Sequence, residues 1–209
     1  MKTRQAISIF CLAAAQVSDV LAVPEVTVVP LGSKTCVNWP SWIPQRGADV
    51  TGSFAFQVDQ ADDAGVNGLL TSSVEFNWTD ISGTHITVDL RKSTSFAKPY
   101  YRCIDGNVHY LSRDTIISVA KDRRNAFLTF SAGYKLEPYA HEVASVRQDG
   151  VFLGALNQTT WGFHYIYSSK CGQIDYYEVK LQGLPDDPDT EPRAGYDPQF
   201  LGFMKAVSS

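Results

Sequence analysis

The chain has 209 residues, with 18 Lys and Arg against 22 Asp and Glu, a formal net charge of -4. Hydrophobic residues make up 44% and charged ones 19%, the balance of a globular protein, and this excludes a collagen, a coiled coil and a disulfide knot. A pI near 5.5 leaves no cationic surplus to neutralise phosphates, so no nucleic-acid partner is expected.

The chain opens with Lys2 and Arg4, followed by an apolar run from Ile7 to Ala15 broken only by Ser8. That run is too short for a bilayer core of roughly 30 Å, and the small residues Ala13-Ala14-Ala15 and Val20-Leu21-Ala22 follow it. The reading is a secretory signal peptide over 1–22 and a single secreted domain over 23–209. No later run reaches the apolar length of a membrane span, so none is expected.

An oxidising compartment makes the cysteines readable. Cys11 leaves with the leader, and Cys36, Cys103 and Cys171 remain, which implies one bridge and one thiol. Cys103 with Cys171 is the favoured pair, because each borders a β-rich segment with a Gly close behind it; Cys36 is the alternative partner. No C-x-x-C or H-x3-H spacing accompanies them, so no metal is expected. Asn77-Trp78-Thr79 and Asn157-Gln158-Thr159 are acceptor patterns for N-linked glycans.

Period-two alternation of Val, Ile, Thr, Tyr and Phe recurs along the whole chain, and no helical period lasts beyond about two turns. Strands are expected over 25–29, 53–59, 72–79, 84–90, 107–111, 114–120, 126–131, 142–147, 151–155, 160–168 and 173–182. Asp149-Gly150 carries the chemistry of a tight hairpin turn, and 121–125 is a charged turn within a second hairpin. Many short antiparallel strands imply an all-β fold, either an antiparallel β-sandwich or a lipocalin-like barrel. Two stretches differ. Trp39-Pro40 and Trp42-Ile43-Pro44 make a stiff aromatic segment outside any central strand. Residues 184–198 hold four prolines among acidic residues and read as a loop, after which Phe200 to Met204 turns apolar and should dock back.

Motifs for nucleophilic, phosphate-binding and zinc chemistry are absent. The histidines His85, His109, His141 and His164 lack metal spacing, although strands could bring His109 and His164 together. Paired-carboxylate hydrolysis finds no same-face pair within one strand, since Asp175 and Glu178 point to opposite faces.

The most informative run is Trp161-Gly162-Phe163-His164-Tyr165-Ile166-Tyr167. Alternation puts Trp161, Phe163, Tyr165 and Tyr167 on one face and Gly162, His164 and Ile166 on the other. The bland reading makes Phe and Trp core, with Tyr at its rim. The sharper one is an aromatic-walled pocket for a hydrophobic small molecule. Trp161, Phe163 and Tyr176 would then hold the ligand, and Tyr165 and Tyr167 would orient it. Arg102, or His164 if Gly162 marks a bulge, would donate to a developing oxyanion. Such a site needs no cofactor, because it works by holding reacting groups together.

A short leader, two glycan acceptor sites, few cysteines and an aromatic β-fold together resemble small secreted fungal proteins of secondary-metabolite pathways. Among these the chain is most similar to the hetero-Diels–Alderases, which join a tropolone-derived quinone methide to a humulene-type sesquiterpene. The resemblance lies in the general plan, and it implies a cofactor-free cyclase rather than a hydrolase. A secreted carbohydrate- or host-binding protein, with Trp39 and Trp42 as stacking platforms, is the competing reading.

Overall fold

Apolar side chains at every second position pull the chain into antiparallel strands, each burying one face. The computed structural model describes residues 22–44, 48–78, 81–90, 100–120, 128–129, 133–167, 175–184 and 198–208. Residues 1–21 of the leader, the 121–125 turn, Cys171 and residues 185–197 of the acidic segment lie outside these. The first half contains β1 (Thr27–Pro30), β2 (Phe54–Asp59), β3 (Thr71–Trp78), β4 (Ile81–Asp89), β5 (Tyr101–Ile104), β6 (Asn107–Tyr110), β7 (Thr115–Ile116) and β8 (Ser118–Ala120). The second contains β9 (Leu128–Thr129), β10 (Gly133–Lys135), β11 (Glu137–Val143), β12 (Val146–Arg147), β13 (Val151–Gly154), β14 (Trp161–Ile166), β15 (Tyr176–Leu181) and β16 (Phe200–Ser208).

The fold is all-β, a large antiparallel sheet curled into a half-barrel. Its strands run in the order β10-β8-β9-β4-β15-β14-β16-β2-β5-β6-β7, with β3 on the far side of β4. A smaller layer of β1, β11, β12 and β13 joins it where β13 pairs with β16. The two ends of the curl share one run of chain. Residues 115–116 pair with β6, the Ile117 amide donates to the Val108 carbonyl at 2.9 Å, and Ser118 onward pairs with β9 and β10. This bend at Ile117 creates a corner between the two ends of the sheet.

The concave side is filled by Phe54, Phe56 and Val58 of β2, Met204 and Ala206 of β16, and Trp161, Phe163, Val179 and Leu181 from β14 and β15. Trp39 stacks on Phe54 at 5.5 Å, and Phe56 meets Tyr101 at 4.7 Å. The buried Tyr101 hydroxyl donates to Thr71 Oγ1 at 3.2 Å, so its polar end has a partner inside the core.

The disulfide joins Cys36 to Cys103, which corrects the expected Cys103–Cys171 pair. Local hydrogen bonding explains the choice. Asp49 accepts the Cys36 amide at 2.8 Å, and Thr51 Oγ1 accepts the Cys103 amide at 2.9 Å, so the segment 49–51 draws the two cysteines together. Gly106 completes the contact, because a Cβ there would lie 2.6 Å from the Ser33 carbonyl oxygen.

The hairpin turn expected at Asp149-Gly150 is instead a bulge. β12 and β13 follow one another along the same edge of β11, and the two-residue turn is Ala144-Ser145, both with positive φ. Gly150 is needed because the backbone there takes φ 113, a conformation that residues with a side chain rarely adopt.

A second, smaller core lies on the outer side of β16. His141 is fully buried there, stacked on Phe152 at 3.8 Å and edge-on to Phe203 at 4.4 Å, with Nε2 2.8 Å from Thr159 Oγ1. Burial lowers its pKa to about 4 from the ordinary 6.5. The unfolded chain therefore takes up a proton below about 6.5, while the folded one resists until about 4. Stability is complete above the upper value and falls across that window, by about 2–3 kcal/mol between near pH 7 and about pH 4.5. Urea unfolding at both pH values should show this loss in the native chain and lose that component in His141→Gln; an unchanged pH slope in the variant would refute it.

Candidate functional site

β14 is regular throughout, with Gly162 opposite Lys180 and His164 opposite Glu178 on β15. Gly162 therefore marks no bulge, and His164 stays on the face opposite the aromatics. The glycine serves close packing: a Cβ there would meet Gln182 Nε2 at 2.6 Å and Pro198 Cβ at 2.7 Å. Trp161 and Phe163 are fully enclosed in the main core, where Trp161 donates its indole N–H to the Leu153 carbonyl at 2.9 Å. Tyr165 and Tyr167 lie progressively further out, Tyr167 at 73% exposure. The Tyr165 hydroxyl donates to Asp175 at 2.5 Å, and that bond raises its pKa to about 12. Tyr176 shares the other face with Glu178; burial pushes both groups up, and His164 partly opposes this at Glu178.

Arg102 does not join these residues. Its strand, β5, is separated from β14 by β2 and β16, about 14 Å at the usual strand spacing. His109 on β6 lies one strand further still, so it is not brought to His164. Trp39 is buried against Phe54, while Trp42 is 38% exposed and bridges to Thr51. Of the two Asn-x-Thr patterns, Asn157 is exposed in a tight turn at φ 63, and Asn77 lies within β3. Among the described residues no three His, Cys, Asp or Glu side chains gather as metal ligands. Among them, too, no helix is long and apolar enough to cross a membrane.

Sequence reasoning missed a different constellation, at the corner where the chain bends around Ile117. A groove of about 600 Å³ opens there between the β6–β7 hairpin and β10. Val108, Ile117 and Leu136, each about 1% exposed, form its apolar base. His109, Asp114 and Ile116 line one side, and Lys135 lines the other. The walls stay close because Gly133 lets β10 approach β8: a Cβ on it would lie 2.0 Å from the Val119 carbonyl oxygen. Lys135 is fixed by donating to the Ser33 carbonyl at 2.5 Å, on the segment held by the disulfide.

Arg102 belongs to this region. It lies opposite His109 in register, and Asp114 Oδ1 sits 3.1 Å from Arg102 Nη2 and 3.5 Å from His109 Nδ1. Asp114 reaches both by adopting a left-handed backbone (φ 48) at the end of the β6–β7 turn, a conformation Asp tolerates well. The signal in the sequence was the alternation of β5 and β6, which puts Arg102 and His109 on one face. Nothing in it announced that β10 would bring Lys135 to the same corner. No protein-family model matches the sequence, and no curated protein matches it either.

Proposed function

We propose that the protein is secreted and binds a small, largely apolar molecule in the corner groove, without a cofactor. The carrying observation is a cavity of ligand size, with a buried aliphatic base and a few convergent polar groups at its walls. Such a groove can act on its ligand by holding reacting ends together, as a cyclisation requires; the resemblance to the cyclases noted above supports that extension. Secretion is supported by the leader pattern and by a Cys36–Cys103 bridge, since such bridges persist in oxidising compartments. Asn157, exposed at its turn, is accessible as a glycan acceptor.

Lys135 opposite an apolar base favours ligands carrying one anionic or enolic oxygen. Anilinonaphthalene sulfonate has that chemistry and should bind the native chain saturably, one to one. Ile116 is 48% exposed, so Ile116→Glu should fold normally and weaken the dye by about tenfold through charge repulsion. Equal binding by Ile116→Glu and the native chain would move the site elsewhere.

A further inference from the structure

We propose that His109 and Asp114 form a proton-transfer dyad, acting on an apolar substrate with an acidic C–H or enol O–H. This inference rests on the groove being the ligand site. Three observations carry it. The His109 ring lines the groove, with only 16% of its side chain exposed, and Nδ1 is buried without a hydrogen-bond partner. Asp114 Oδ1 is the carboxylate beside that nitrogen, at 3.5 Å, a separation that small adjustments on ligand binding would close. His109 also faces Arg102 across the β5–β6 pair, so one carboxylate reaches both side chains.

The carboxylate would hold the proton on Nδ1, leaving Nε2 as the base. Arg102, 3.1 Å from the same Oδ1, holds the Asp114 carboxylate beside the ring. Among the described residues, the charged groups placed near His109 are Asp114 from the turn, Arg102 from β5 and Lys135 from β10 across the groove. In the reaction, a substrate proton passes to Nε2, and the electron pair it leaves becomes an enolate. The Lys135 ammonium has donors left after its bond to Ser33 and faces the enolate oxygen. The imidazolium then returns the proton to the other end of the enolate. The outcome is an isomerisation: nothing is oxidised or reduced, and no co-reactant is consumed.

Nitrobenzisoxazole is a suitable probe, because loss of its ring C–H proton breaks the N–O bond and releases a coloured cyanonitrophenolate. The full chain should accelerate this elimination above buffer. His109→Gln should lower kcat by about a hundredfold, the usual contribution of a positioned base. Asp114→Asn should lower kcat by roughly tenfold with little change in KM, the mark of a positioning residue. His164→Ala, four strands away across the sheet, should change neither. Absence of turnover, or a His109→Gln rate equal to native, would overturn the dyad while dye binding leaves the groove reading intact. Loss of dye binding by the native chain would instead overturn the groove itself.

Discussion

Replacing Cys36 and Cys103 together by Ala should destabilise the protein by about 4 kcal/mol in the chain-entropy model, for the 67-residue separation that the bridge spans. That is a large share of the roughly 5–15 kcal/mol that a domain has. The loss is local as well as global. Cys36 Sγ accepts the Gly106 amide at 3.3 Å, and the neighbouring Ser33 carbonyl holds Lys135. The variant should therefore lose part of its dye affinity along with its stability. Urea unfolding measures the first, and a peptide map without reduction identifies the bridge. A fragment linking Cys103 to Cys171 in that map would show the pairing to be wrong.

Trp161→Ala should cost about 3–5 kcal/mol, the range for emptying an aromatic site in a packed core. The Leu153 carbonyl would also lose its indole donor, leaving a buried acceptor unpaired. Tyr167→Ala, six residues along the same chain but 73% exposed, should stay within about 0.5 kcal/mol of native. Denaturant midpoints of the two variants separate the cases cleanly. Comparable small losses in both would place Trp161 at a ligand wall rather than in the core.

The strands were legible where alternation ran unbroken, but residues 142–147, expected as one strand, instead hold the Ala144-Ser145 turn between β11 and β12. β2, β6, β13, β14 and β15 fall within one to three residues of their expected ends. β5 was missed because Tyr101 and Cys103 alternate with Arg102 and Ile104 for only one four-residue strand. β10 is three residues long, with a glycine at its start, and carries no periodic signal at all. The tail was expected to dock, and it does so as a nine-residue strand at the centre of the sheet. The groove was illegible for a related reason. His109 and Asp114 are close in sequence, but their meeting depends on Asp114 taking positive φ. The opposing wall depends on a pairing between β8 and β10 that only the folded sheet reveals. The aromatic strip is conspicuous in the sequence, yet the core encloses its first two members, Trp161 and Phe163.

β16 has a consequence for assembly of the chain. It pairs with β2 along one side, and with β14 and then β13 along the other, so it joins the curl to the smaller layer. Its β2 partners lie far back in the sequence, Phe203 facing Asp59, which makes this a slow, non-local closure. Until β16 inserts, three strand edges are open at once, each able to accept a strand from another molecule. Refolding is therefore a race between self-insertion and strand donation between copies, and dilution favours the monomer.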